Sequence, residues 1–222
     1  MEKKRTTTAI IFFCIAVFFI FWNKKNSDNQ QFVNDNGMIF GTFYSIQYQN
    51  DGRKSLKTKI EQILESVNNS LSMFNDSSVI SKINRNEYVK TDSLFEKVFF
   101  KAQEISQKTN GAFDITIAPL VNLWGFGFKN SEAVTGEMIN YALQSVGYQS
   151  VKLENNQLIK QNLQTTLDAS AIAKGFACDL AARFLKSKGI QNFCIEIGGE
   201  IVVSGKNPQN ELWKIGINKP IE

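Results

Sequence analysis

Histidine is absent from all 222 residues of the chain. That removes imidazole general bases, Ser-His triads and His-ligated zinc from this stretch of polypeptide. A block of charge of one sign is missing too. The 25 Lys and Arg stand against 21 Asp and Glu for a net charge of +4, and the two signs alternate along most of the chain. Without a basic stripe, nucleic-acid binding is not expected. No internal repeat at solenoid spacing and no low-complexity tract interrupts the sequence. What is present is ordinary globular material: 43% hydrophobic and 21% charged residues, enough for one folded domain with one sizeable core. Any chemistry here uses oxygen ligands, lysine or backbone groups.

Long apolar runs are confined to the N-terminus. Lys3, Lys4 and Arg5 precede an uncharged run from Thr6 to Trp22, closed by Lys24 and Lys25. The strictly apolar part, Ala9 to Trp22, is as short as a signal-peptide core, but no small-x-small cleavage site follows in Asn23 to Gln30. The reading is an uncleaved signal anchor over 6–22, with 1–5 cytoplasmic and the rest of the chain outside the cytoplasm on the periplasmic side. Cys14 follows the bulky Phe13, which argues against lipoprotein processing. The two other cysteines, Cys178 and Cys194, read as small buried hydrophobes, and a bridge between them is the alternative in an oxidising compartment.

Residues 23–36 are polar and rich in Asn and Gln, as a tether would be, so the folded domain is expected over 37–222. A strand is expected from Ile39 to Tyr48. Leu56, Ile60, Ile63, Leu64, Val67 and Leu71 then recur at helical spacing. A second helix carries Leu94, Val98, Phe99, Ala102 and Ile105 behind a Thr91 or Asp92 cap, and a third runs from Gly136 to Gly147. Val151–Leu153 and Gln157–Lys160 flank Asn155-Asn156 as a hairpin. A fourth helix spans about Ala171 to Lys188, followed by strands over Asn192–Val203 and Leu212–Asn218. The class is mixed α/β or α+β.

Three segments carry candidate chemistry. In the first, from Thr166 to Asp179, an apolar entry turns into a helix of very small residues, Ala169, Ala171, Ala173, Gly175 and Ala177. Exposed N–H groups at such a helix start suit phosphate, Lys174 adds an ammonium one turn in, and Asp168 can accept from a sugar or base. The structural alternative makes Asp168 or Ser170 a helix cap, Lys174 a solvated lysine and the alanines sheet-packing residues. The second segment is Thr109-Asn-Gly-Ala112-Phe113-Asp114-Ile-Thr116, followed by Trp124-Gly-Phe126-Gly127-Phe128. It is either a turn aiming Asp114 and aromatics at a planar ligand, or a turn into a strand with Phe113, Trp124 and Phe126 in the core. The third is Ile195-Glu196-Ile-Gly198-Gly199-Glu200. Its glycines mark either space for a ligand beside Glu196 or a sharp bend in a barrel-like sheet.

Together these stretches resemble the ApbE family of FAD:protein FMN transferases. Gly41-Thr42, Ser72-Met-Phe74 through Ser81-Lys-Ile-Asn84, Gly111-Ala-Phe-Asp114, Leu167-Asp through Ala173-Lys-Gly175, and Gly198-Gly199 occur in the family's order. The resemblance implies an ApbE-like fold of sheets flanked by helices, an FAD pocket and a Mg2+ ion. It places FAD contacts at Phe40, Phe74, Ala112, Phe113, Asp114, Asp168 and Lys174, and a magnesium ligand at the Ala171 carbonyl, an oxygen donor of the kind a hard cation takes. Phe40 stands where the family usually has methionine, and Glu200 where aspartate is common. The family's histidine loop and Asp-rich magnesium stretch do not appear, so the resemblance implies a C-terminally truncated member. The reaction it implies is attack of a Thr or Ser hydroxyl of a partner protein on the FMN phosphorus of FAD, with release of AMP. Membrane or extracytoplasmic electron-transfer proteins would be the flavin acceptors. An FAD diphosphatase of the same fold and a non-catalytic membrane-anchored flavin-binding module are the rival readings.

Overall fold

Alternation of inward and outward side chains builds the first two elements, strands β1 (Phe32–Ile39) and β2 (Thr42–Gln49), paired antiparallel from Phe32↔Gln49 to Ile39↔Thr42. The structure, a computed structural model, describes residues 31–50, 52, 54–126 and 133–217. The expected anchor over 6–22 lies outside them. The single strand expected from Ile39 is instead a hairpin, because Phe40 and Gly41 take φ of 53° and 71°. Those are the signs a type I′ turn requires. β1 also starts inside the stretch read as a tether. Asp35 is buried there and accepts from the Tyr48 hydroxyl at 2.8 Å, and that hydroxyl accepts from the Leu56 N–H at 2.9 Å. A polar sequence thus holds a strand position because its acid is hydrogen-bonded.

Helices follow where the 3.6-residue period predicts them. Helix α1 (Lys57–Leu71) buries Ile60, Leu64, Val67 and Leu71 along one stripe. The short α2 (Val79–Asn84) is capped by Ser78, and α3 (Ser93–Lys108) by Asp92, whose carboxylate accepts from the N–H groups of Leu94 and Phe95. A 3-10 turn at Ile115–Ile117 leads into α4 (Ala118–Leu123). Helix α5 (Gly136–Leu143) stops short of the expected Gly147. The hairpin of β3 (Val151–Glu154) and β4 (Gln157–Lys160) turns at Asn155-Asn156 as expected, with φ of 49° and 58°. Helix α6 (Ser170–Ser187) matches its expected span.

The expected strand Asn192–Val203 is two strands, β5 (Phe193–Ile197) and β6 (Glu200–Ser204), folded back on each other at Gly198-Gly199. Leu212 makes a single bridge to Lys206, and 213–217 form no strand. Asn218, the expected end of that strand, lies outside the described residues. The main sheet has the order β1-β2-β5-β6 and is antiparallel throughout. Its inner face presents Tyr44, Ile46, Tyr48, Phe193, Ile195 and Ile197, all buried, toward the helices. Each such side chain contributes about 1.5–3 kcal/mol of burial. Helix α6 packs on β5 and β6 through Ala173, Ala177, Cys178, Ala181 and Ala182, whose small size lets backbone approach backbone. The class is α+β, with helices against an antiparallel sheet.

Cys178 sits on α6 against this inner face, whereas Cys194 lies between inward-pointing Phe193 and Ile195 and so points the other way. Both are free thiols, and the alternative bridge between them is not formed. Burial, reinforced by Glu200 and Asp179, pushes Cys178 up to about 12, which keeps it protonated and inert at neutral pH.

Candidate functional site

Two hairpin turns and a helix start meet at one end of the main sheet. Antiparallel pairing of β2 with β5 puts Tyr44 opposite Ile197, so the turn at Phe40-Gly41 and the turn at Gly198-Gly199 are neighbours. The Gly198 N–H donates to the Phe43 carbonyl at 3.0 Å. Gly198 has φ of 54°, and a Cβ there would lie 2.6 Å from Thr42 Cγ2 and 3.3 Å from Lys174 Cδ. The turn therefore admits only glycine at this contact. Lys174, one turn into α6, donates from Nζ to the Gly198 carbonyl at 3.0 Å and lies 3.8 Å from Glu200 Oε1. The Gly-Thr, Ala-Lys-Gly and Gly-Gly motifs are one cluster.

At the start of α6, Ser170 and Ala171 are exposed. Asp168, one residue before the cap position, accepts from the Ser170 N–H on Oδ1 at 2.7 Å; the cap position is Ala169 and not the expected Asp168 or Ser170, and the helix's own ladder begins where Ile172 and Ala173 donate to Ala169. Asp168, half-buried, keeps its other carboxylate oxygen and remaining lone pairs for a further donor. Ala171, the expected metal ligand, is exposed in the first turn. Among the described residues no group of three or more His, Cys, Asp or Glu is arranged to hold a metal ion. The Ala171 carbonyl is a suitable hard donor, but the described residues do not by themselves make a magnesium site.

The approach to α6 is tied on both sides. The Asn84 side-chain amide grips Leu167 twice, donating from Nδ2 to its carbonyl at 2.9 Å and accepting its N–H on Oδ1 at 2.8 Å. The Asp168 N–H donates to the Ile115 carbonyl at 2.8 Å. Beside Ile115, Asp114 accepts on Oδ1 from the Thr116 N–H (2.8 Å) and hydroxyl (2.7 Å), and on Oδ2 from the Tyr148 N–H (2.7 Å). The Thr116 hydroxyl in turn accepts from the Gly147 N–H at 2.7 Å. The Asp114 carboxylate is thus engaged with its own protein, joining the Gly-Ala-Phe-Asp turn to the loop after α5.

The aromatic candidates divide. Phe74 is 63% exposed, on the turn between α1 and α2 that Ser78 and Ser81 fasten through the carbonyls of Ser72 and Met73. Phe113 is half-buried against the core, and Ala112 beside it is exposed. Phe40 is half-buried against the core despite its left-handed backbone, a conformation that costs a non-glycine residue about 1 kcal/mol. Trp124 and Phe126, which the structural alternative put in the core, are 52% and 81% exposed. Gly127 and Phe128 lie outside the described residues. Beside Glu196 a depression of about 440 Å³ is lined by Asn36, Gly37, Met38, Phe43, Tyr44 and Ser45. The diglycine makes a hairpin reversal in place of the expected barrel-like bend, and open space adjoins Glu196. Asn84, Thr116 and Tyr148 were not singled out as site residues in the sequence. Of these only Thr116 carried a local signal, the Asp-x-Thr spacing of an Asx turn.

The chain matches the ApbE family model over residues 40–222. It is 38% identical over 199 residues to the FAD:protein FMN transferase of Vibrio cholerae, covering 85% of this chain and 59% of that protein. The FAD:protein FMN transferase of Haemophilus influenzae is also 38% identical, over 83% of this chain and 58% of its own length. The chain thus spans less than two thirds of these curated relatives. Among solved structures, flavin transferase ApbE from Vibrio cholerae superposes with a TM-score of 0.80 at 36% identity, over 86% of this chain and 64% of that one. The apo form of Pseudomonas stutzeri flavinyl transferase ApbE gives 0.78 at 29% identity, over 85% and 66%. With the family model matched and the Gly-Thr, Ala-Lys-Gly and Gly-Gly motifs gathered at one end of the sheet, this chain belongs to the ApbE family.

Proposed function

We propose that the protein is a flavin transferase that moves FMN from FAD to a Thr or Ser hydroxyl of a partner protein. The observation that carries this reading is the convergence of the α6 N-terminus, where the exposed Ala171 N–H has no bond among the described residues, with Lys174 and the glycine-only turn at Gly198. Such a place stabilises a diphosphate through the helix dipole and through direct donors. The relatives that carry the name FAD:protein FMN transferase give the reading its substrate.

In the reaction, the acceptor oxygen forms a new ester bond to the FMN phosphorus. The diphosphate P–O bond breaks, AMP leaves with the bridging oxygen, and the hydroxyl proton is released. Lys174, the Ala171 N–H and the positive end of the α6 dipole hold charge that builds on the phosphate oxygens. To do so, Lys174 gives up or shares its bond to the Gly198 carbonyl. Asp168 accepts from a ligand hydroxyl or base edge, and exposed Phe74 offers a ring to the isoalloxazine. Magnesium dependence belongs to the same proposal, since such an ion neutralises diphosphate charge. No step here runs through it. The Thr6–Trp22 run supports a membrane anchor with the domain on the extracytoplasmic side, where flavin-accepting electron-transfer proteins would be its partners.

The test incubates the protein with FAD, magnesium and a threonine-bearing acceptor, and reads covalent FMN on the acceptor by intact-protein mass spectrometry. The expected result is an adduct that disappears in Asp168→Ala and Lys174→Ala variants with unchanged melting curves. Free FMN and AMP without an adduct would replace the transferase with a diphosphatase, and unchanged FAD would leave a binding module.

A further inference from the structure

We propose that Asn84 is a positioning residue for the flavin site, holding Leu167 so that Asp168 and the first turn of α6 face the ligand. The inference rests on the flavin reading above and adds to it a residue that touches no ligand.

The geometry has three parts. First, one side-chain amide satisfies both backbone groups of Leu167, a fully buried residue 83 positions away, at 2.9 and 2.8 Å. A paired donor and acceptor in one plane fixes orientation as well as distance. Second, the next backbone group is also held, because the Asp168 N–H donates to Ile115. Two consecutive residues are thus gripped from two elements immediately before the chain turns into α6. Third, Asn84 is the last residue of α2, and the other end of α2 is tied to the Ser72–Met73 carbonyls by the hydroxyls of Ser78 and Ser81, at 2.7 and 3.1 Å. Helix α2 is therefore a strut. It fixes the separation between the turn bearing Phe74 and the segment bearing Asp168, the two places proposed to hold opposite parts of FAD. A ligand that spans both needs that separation set in advance, because a small displacement of a positioned group costs far more in binding or rate than in stability.

A neighbouring staple provides the control. Asn86 donates from Nδ2 to the Leu163 carbonyl at 3.1 Å and accepts from Lys160, in the same stretch of chain but away from α6. Its φ of 59° lets glycine replace it without backbone strain.

The experiment measures FAD affinity by flavin fluorescence titration, and melting temperature, for the wild type, Asn84→Ala, Asn84→Asp and Asn86→Gly. Asn84→Asp keeps the acceptor for the Leu167 N–H but turns a charged carboxylate oxygen toward the Leu167 carbonyl in place of the donor, so one of the two bonds remains if the alanine variant does not fold. Asn84→Ala is expected to raise the FAD Kd about tenfold or more, and Asn84→Asp several-fold. Asn86→Gly is expected to lower the melting temperature and leave the Kd unchanged. The inference is overturned if folded Asn84 variants bind FAD as the wild type does, or if Asn86→Gly weakens binding as much as they do. A wild type that binds no FAD would instead remove the flavin reading, and the inference with it.

Discussion

Asn84 and Asn86 reach across to the same extended segment, one to Leu167 and the other to Leu163, yet they serve regions of different character. Beyond Leu167 the chain enters the site end of the sheet, where Asn84, Asp114 and Lys174 are each bonded to a backbone group from a distant element. Around Leu163 lies the β3–β4 hairpin, with Leu163 68% exposed, Tyr88 80% exposed and a depression of about 180 Å³ between them and Lys160. Similar amide chemistry in one case fixes a buried residue at the entry to α6 and in the other trims a surface. The difference lies in the chain just past each anchored residue: the helix N-terminus proposed to meet the diphosphate, or a loop that the sequence does not mark.

The largest effect that would break this contrast is at Asp114. Its two oxygens accept three hydrogen bonds, two of them from Thr116, which is fully buried. Asp114→Ala leaves these donors without their acceptor, at a cost of about 3 kcal/mol. Asp114→Asn keeps an oxygen for Thr116 but turns an NH2 toward the Tyr148 N–H, and should lose roughly half as much. Urea melts of both variants check the order. A variant Asp114→Ala as stable as the wild type would mean that the site end is not held by its carboxylates.

Next in size is the diglycine turn. Gly198→Ala brings a methyl within 2.6 Å of Thr42 Cγ2 at φ of 54°, whereas Gly199 has φ of 90° and open space around its Cα. The first substitution adds overpacking to backbone strain and is expected to cost about 2 kcal/mol, the second strain alone at about 1 kcal/mol. Because Gly198 also carries the carbonyl that receives Lys174, Gly198→Ala should weaken FAD binding while Gly199→Ala leaves it nearly unchanged. Equal losses in melting temperature and affinity for the two variants would show that Thr42 yields and the turn is not a close-packed part of the site.

These contrasts also explain what could be read from the sequence. Helices α1, α3 and α6 and the Asn155-Asn156 hairpin were legible because period, caps and turn residues are local signals. The strand read over Asn192–Val203 is two, because a diglycine in an apolar run fits a bend or a reversal equally well until Ile197 is seen opposite Glu200. β1 was hidden by the polar run Asn34-Asp-Asn-Gly37, whose acid is made compatible with a strand only by Tyr48, on the neighbouring strand. In the site, the order of the motifs pointed to the family. The bonds from Asn84 to Leu167 and from Asp114 to Tyr148 did not emerge, since they join positions with no periodic relation. Asp114, expected to contact flavin, is committed to Thr116 and Tyr148 through both carboxylate oxygens.

The smallest expected effect sharpens the hairpin side of the comparison. Burial pushes Lys160 down to about 8, from the ordinary lysine value of 10.5, and its one bonded partner is the neutral Asn86 Oδ1 at 2.8 Å. Proton counting gives the sign. Between about 8 and 10.5 the unfolded chain binds more protons at this position than the folded one does, so stability rises with pH across that window. The penalty of burying the charged amine is fully in force below about 8 and absent above 10.5. Because the side chain is half in water, its size is discounted to about 1 kcal/mol. Lys160→Met carries no such charge. Its stability relative to the wild type should therefore be greatest at pH 7 and fall by about that amount by pH 10, in paired denaturant melts that cancel the titration of every other group. A difference that stays flat over this range would place the Lys160 ammonium in solvent and make the hairpin a purely surface element.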